Sequence, residues 1–260
     1  MYFEFETNIS YKYLKEVILN LEEPVCILGG WAVFFHANKN FQKAQGRFYL
    51  GSRDIDLGFH IKRESTKEEL KESALTQSIE VLTRKLKFKP QGFRPLKDIH
   101  TETSEEVFDK KVPAHFIFPM YVDLIVDNIP KNFKTQLGFD PIDEPLLKYA
   151  FENPNNVINI KEFNKKLLLP KPELILTMKR NSLPNRDKDH KRIKDICDTF
   201  ALLWYSDLEL HKIKEKLQKF TTNRSIKQCL KSLTDEDYKK AGLQLGHTEE
   251  EIKKVMSHIT

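Results

Sequence analysis

Apolar side chains at Tyr11, Leu14, Val17, Ile18 and Leu21 recur at helical spacing and stop before Pro24, which predicts an amphipathic helix over that stretch. Val25-Cys26-Ile27-Leu28 is then a continuous apolar run closed by Gly29-Gly30, and Trp31-Ala32-Val33-Phe34-Phe35 opens a buried helix. Strand, tight glycine turn and helix follow one another. Between positions 51 and 61 the pattern alternates, with Ile55, Leu57 and Phe59 on one face of a strand and Asp54, Asp56 and Gly58 on the other. Leu70, Leu75, Ile79 and Leu82 predict one helix over 68–86, and residues 88–94 lead into a further strand. Residues 98–113 are polar and predict no element. Residues 114–119 and 120–126 read as two strands, the second carrying Asp123 among Tyr121, Val122, Leu124, Ile125 and Val126. From Pro170 onward the period is helical, over 172–183, 187–205 and 208–221. Openings at Thr234 and Thr248, each with an acid three residues on, predict two short capped helices at the end.

Strands alternating with helices and then helices alone predict an α/β (α+β) chain, a mixed sheet with flanking helices over residues 1–165 and a helical C-terminal domain over 166–260. At 260 residues and 40% hydrophobic, the chain has enough apolar surface for two modest cores. No apolar run approaches the roughly 20 residues that span a bilayer. The first ten residues carry acids where an export signal carries lysines before an apolar stretch, so the expectation is a cytoplasmic protein without membrane contact. Cys26, Cys197 and Cys229 lack zinc-site spacing and read as buried thiols of a reducing compartment. The net charge of +5 is concentrated in 161–194, either a solvated helix face or a surface for phosphates. Trp31 and Trp204 read as core, and His36, His60 and His100 as structural or surface groups.

The chemistry centres on Asp54 and Asp56. Two carboxylates one residue apart on a strand point the same way and repel, an arrangement stable in water or around a divalent cation, and Mg²⁺ favours carboxylate oxygens together with substrate phosphates. Gly29-Gly30 upstream marks a strand-to-helix turn where backbone N–H groups could hold phosphate oxygens. Asp123 is a third acid in an apolar strand, where an ionised carboxylate costs several kcal/mol unless something compensates it. Beside the Asp54 strand it would complete a three-carboxylate site for two metals; alone it would be a capped structural acid.

Leu28-Gly29-Gly30-Trp31-Ala32, then Gly51-Ser52-Arg53-Asp54-Ile55-Asp56-Leu57, then Asp123 resembles the DNA polymerase beta-like nucleotidyltransferase superfamily. Leu169-Pro170-Lys171-Pro172-Glu173-Leu174 through Lys179, with Arg186-Asp187-Lys188-Asp189 and Lys194-Asp195-Ile196-Cys197-Asp198, is similar to its AbiEii-type toxin branch. The resemblance implies Mg²⁺ or Mn²⁺ on Asp54 and Asp56, with Asp123 as a third ligand. It also implies a nucleoside triphosphate held by Gly29, Gly30 and Ser52. Lys179 would face the phosphates, Asp195 would complete the site, and Arg53 joins Lys179 as a candidate for the departing phosphates. The expected reaction moves a nucleoside monophosphate onto a hydroxyl, of RNA such as tRNA, by a toxin-like enzyme with an antitoxin protein as partner. A small antibiotic-type acceptor, and a catalytically inactive module binding nucleic acid or a partner protein, are the alternatives.

Overall fold

The computed structural model describes residues 4–108, 111–220 and 233–259. By contact the chain divides into two units, Tyr2–Trp31 with Gly51–Pro170, and Ala32–Leu50 with Lys171–Thr260. All strands of the described residues lie in the first, and the second is helical.

The sheet unit opens with helix α1 (Glu4–Asn20), which buries Ile9, Tyr13, Leu14, Val17 and Ile18 at spacings of three and four residues, one apolar stripe. Strand β1 (Val25–Ile27), helix α2 (Gly29–Gln45) and strand β2 (Ile55–Phe59) follow. The single helix expected over 68–86 is interrupted. Ser73 caps a new start by accepting the Thr76 N–H at 3.3 Å, which separates α3 (Lys67–Lys71) from α4 (Ala74–Glu80). The strand expected after residue 88 begins later, as β3 (Leu96–His100), with Lys89 bridging back to Leu96.

The two strands expected between 114 and 126 are one, β4 (Ile117–Val126), which passes through Pro119. The N–H groups of Val122 and Leu124 donate to Pro95 and Phe93, so even positions of β4 bond on the β3 side. Pro119 is odd and turns its nitrogen to the other side, where pairing with β2 starts only at Val122. Its missing donor therefore breaks no ladder bond. The short β5 (Ile142–Asp143) adds beside the end of β4, between helices α5 (Phe133–Leu137) and α6 (Lys148–Glu152).

A hairpin of β6 (Val157–Glu162) and β7 (Lys165–Pro170) closes the unit. Its two-residue turn, Phe163-Asn164, holds φ of 54° and 59°, the doubly left-handed geometry of a tight hairpin turn. The strand order is β3-β4-β2-β1-β7-β6, with β2 antiparallel to β1 and parallel to β4. Flanked on both sides, β2 buries Ile55, Leu57 and Phe59.

The helical unit comprises most of α2 with α7 (Pro172–Ser182), α8 (Asp189–Tyr205), α9 (Ile213–Gln218), α10 (Asp235–Leu245) and α11 (Glu249–Met256). Helix α8 packs against α7, α10 and α11 and is buried from Ile193 through Leu203. Both expected capping boxes form, Thr234 with Asp237 and Thr248 with Glu251. Trp204 departs from its reading as core. It stacks on Phe200 at 6.2 Å between ring centres yet stays half exposed at the end of α8, whereas Trp31 is buried. Cys26 and Cys197 are buried free thiols, and Cys229 lies outside the described residues. No helix among the described residues is long and apolar enough to cross a membrane.

Candidate active site

Strand register builds the acidic face. In the β2–β4 ladder Asp56 stands opposite Asp123, on strands about 4.8 Å apart, so both side chains leave the same face of the sheet. Asp54 lies two residues before Asp56, one residue outside the ladder, and joins that face by the period of two.

Asp56 also rests on the glycine turn. A Cβ on Gly29, whose φ is +56°, would lie 1.8 Å from Asp56 Oδ2 and 2.7 Å from its Cγ. Gly29 is thus required both by its left-handed backbone and by the carboxylate against it. On Gly30 a Cβ would meet the Gly51 carbonyl oxygen at 2.9 Å and Ser52 Oγ at 3.0 Å. The two glycines open the 17-residue helix α2, so Asp56 and Ser52 lie at a helix N-terminus, where partial positive charge favours anions. Ser52 is itself buried.

Asp123 meets the compensation that its burial demands. Arg94 donates to it with both arms, Nε to Oδ1 at 2.6 Å and Nη2 to Oδ2 at 2.8 Å. The same Nη2 reaches Asp54 Oδ2 at 3.5 Å, and the guanidinium lies over the Tyr121 ring, 4.4 Å from its centre. Burial pulls the Arg94 guanidinium down, but the hydrogen bond and charge of Asp123, with Asp54 and Tyr121 beyond, outweigh it and hold the group above its ordinary value. Arg94 was outside the sequence expectation. Its signal was indirect, since an acid in an apolar strand implies a cation nearby but not which one.

Arg53 follows Ser52 yet pairs with Glu6 of α1, Nη2 to Oε1 at 3.0 Å, and covers the Phe118 ring. A divalent cation would take Asp54 and Asp56 as ligands, one flanking the strand and one within it. Asp123, bound bidentately to Arg94, is not presented as a third ligand, and among the described residues no group of three or more His, Cys, Asp or Glu is arranged to hold a metal.

Lys179 and Asp195 belong to the helical unit and are brought together there. Lys179 Nζ lies 2.7 Å from Asp195 Oδ1 and 2.7 Å from Asp198 Oδ2, while Arg186 Nε donates to Asp195 Oδ2 at 2.6 Å. Lys194 pairs with Asp198, and the Tyr49 hydroxyl donates to Asp198 Oδ1 at 2.6 Å. Burial opposes charge on Lys179, Lys194 and Asp198. For Lys179 the two aspartates prevail and raise it, whereas Lys194 is lowered, chiefly by burial. Asp198 is lowered to about 2, the pull of Lys179 and Lys194 exceeding the upward push of burial.

This network corrects the picture of 161–194 as a solvated helix face. Its first part is the β6–β7 hairpin, and Lys179, Arg186, Arg192 and Lys194 further on are tied to acids of the protein itself. Buried Asp127 was likewise missed, and it accepts from His60, read above as a structural or surface group.

No family model and no curated protein matches the sequence. A solved structure described as an antigenic nucleotidyltransferase-like protein from Paracoccidioides brasiliensis is similar over 88% of this chain and 93% of that one, with 16% identity and a TM-score of 0.38.

Proposed function

We propose that the chain is a metal-dependent nucleotidyltransferase, with the Asp54, Asp56, Gly29-Gly30 cluster as its catalytic centre. The observation that carries this reading is Asp56 pressed against Gly29 at the start of α2, which brings a strand carboxylate and the N–H groups of a helix N-terminus to one point. A triphosphate needs both kinds of group, donors for its oxygens and carboxylates for its cation.

In this reading the α2 N-terminus and the Ser52 hydroxyl hold phosphate oxygens, and Gly29 and Gly30 leave room for Asp56 and Ser52 to stand against the turn. Mg²⁺ or Mn²⁺ on Asp54 and Asp56 would supply neutralisation of phosphate charge. The acceptor hydroxyl gives up its proton to solvent as its oxygen bonds to the α-phosphorus, the bond from the α-phosphorus to the bridging oxygen breaks, and pyrophosphate leaves with that oxygen. Arg94 steadies Asp123 and keeps a positive charge beside the reacting phosphates.

For the acceptor we propose RNA, a tRNA end in particular, in a toxin-like enzyme restrained by an antitoxin. Its support from charge is narrower than the sequence suggests, because several cations of 161–194 are engaged internally. The bidentate grip of Arg94 on Asp123 favours a second reading, a module of this architecture that binds nucleic acid without turnover.

One experiment separates them. The full chain is incubated with Mg²⁺, total tRNA and each labelled nucleoside triphosphate, beside Asp54→Ala/Asp56→Ala. Label transferred by the native chain alone supports the transferase. RNA binding retained by both proteins without label in either supports the silent module. Expression should also arrest growth, and Asp56→Ala should relieve it; equal growth of the two strains refutes the toxin reading.

A further inference from the structure

A cavity of about 260 Å³ opens in the sheet unit where β2 ends, lined by Val25, Leu57, Phe59, Val81, Phe151 and His60 among others. It is separate from the acidic face. The four residue steps from Asp56 to His60 span about 13 Å of extended chain.

Its walls are mostly hydrocarbon, but His60 is a prepared polar group. Asp127, with its side chain fully buried, takes the Ile61 N–H on Oδ1 at 2.8 Å and faces His60 Nδ1 with Oδ2 at 2.5 Å. A carboxylate so placed accepts, so Nδ1 carries a proton, and in the neutral ring Nε2 is the acceptor. The imidazole also leans on Phe151, 5.6 Å between ring centres, which fixes its plane. The ring is partly open to solvent, so a ligand can reach it from the cavity edge. Here a buried acid, itself fixed by a main-chain donor, and an aromatic ring hold one imidazole at the edge of an apolar cavity.

We propose that this cavity binds a small neutral aromatic ligand bearing a hydroxyl, a phenol by class, whose O–H donates to His60 Nε2. Hydrocarbon walls disfavour a charged ligand, and a volume slightly below that of drug-sized pockets limits the occupant to a ring or a fused pair of rings. Asp127 is the positioning residue, holding the tautomer that accepts. Nucleotidyl transfer uses neither residue, and this site stands or falls independently of it.

The probe is 2-naphthol, with naphthalene as the partner lacking the hydroxyl, each titrated by fluorescence into the full chain. His60→Asn retains a donor in the place of Nδ1, so Asp127 stays satisfied while the Nε2 acceptor is removed. Ala74→Phe, at an exposed position lining the cavity, fills its mouth. The expected result is saturable binding of 2-naphthol to the native chain, weakened at least tenfold by His60→Asn and abolished by Ala74→Phe. Naphthalene should bind the native chain and His60→Asn alike. Equal affinity of 2-naphthol for the native chain and His60→Asn, or no binding to the native chain, would overturn the proposal.

Discussion

Gly29→Ala tests the contact on which the acidic face is built. The substitution does two separable things. It forces an L residue to φ +56°, which costs about 1–2 kcal/mol. It also sets a methyl 1.8 Å from Asp56 Oδ2, 2.7 Å from Cγ and 3.2 Å from Cβ, so that turning the carboxylate away still leaves Cβ in tight contact. Asp56 lies within the β2–β4 ladder, so its backbone gives way only with the strand, and overpacking of this kind costs roughly 1–3 kcal/mol more. The sum is about 2–5 kcal/mol. In an Asp56→Ala background the carboxylate is gone and only the backbone strain remains, about 1–2 kcal/mol. A double-mutant cycle by urea unfolding should therefore return a coupling of about 1–3 kcal/mol between Gly29 and Asp56. An identical loss in both backgrounds would falsify the contact, and with it the placement of the acid at the α2 N-terminus.

Arg94→Met should destabilise the chain by about 2–4 kcal/mol, because buried Asp123 loses its bidentate partner, and Asp123→Asn in the same chain should recover most of that; no recovery refutes the pairing. Asp198 is lowered in the folded chain to about 2 from an ordinary value of 3.8, so it contributes roughly 2 kcal/mol that is fully present above the ordinary value and lost as pH falls towards 2. Urea midpoints should fall over that window, and Asp198→Asn, less stable at neutral pH, should show a shallower decline. Burial raises the Cys26 and Cys197 thiols to about 12, so iodoacetamide at pH 8 with peptide mapping should leave both unlabelled until the chain is unfolded; labelling of the folded chain contradicts their burial.

Legibility followed the physics of each segment. The α1 stripe, the run-turn-helix at 25–35 and the alternation at 55–59 were plain because each is decided by local period and burial on one side. The break at Ser73 was hidden by apolar spacing that continued across it. Pro119 looked like a strand boundary because its harmlessness depends on which neighbour its nitrogen faces, a property of the sheet and not of the strand. The β6–β7 hairpin was missed because Phe163-Asn164 adopts a geometry usually announced by glycine. At the site, Asp54, Asp56 and the two glycines were readable as a local motif. Arg94 was not, for it lies 29 residues from the acid it grips, and a pairing at that distance leaves no periodic trace.

The ladder between β2 and β4 begins at Ile55, with Asp54 just before it and Asp56 inside it. The two acids are therefore mechanically unequal. Asp56 is tied to the main-chain bonds of a central strand, and to move it is to unzip the sheet. Asp54 hangs from the segment that enters the strand and can shift without breaking a ladder bond. A change of one residue in loop length before position 54 would re-aim one acid and leave the other in register. The site is thus a fixed jaw and an adjustable one, and variation between related sequences should concentrate on the adjustable side.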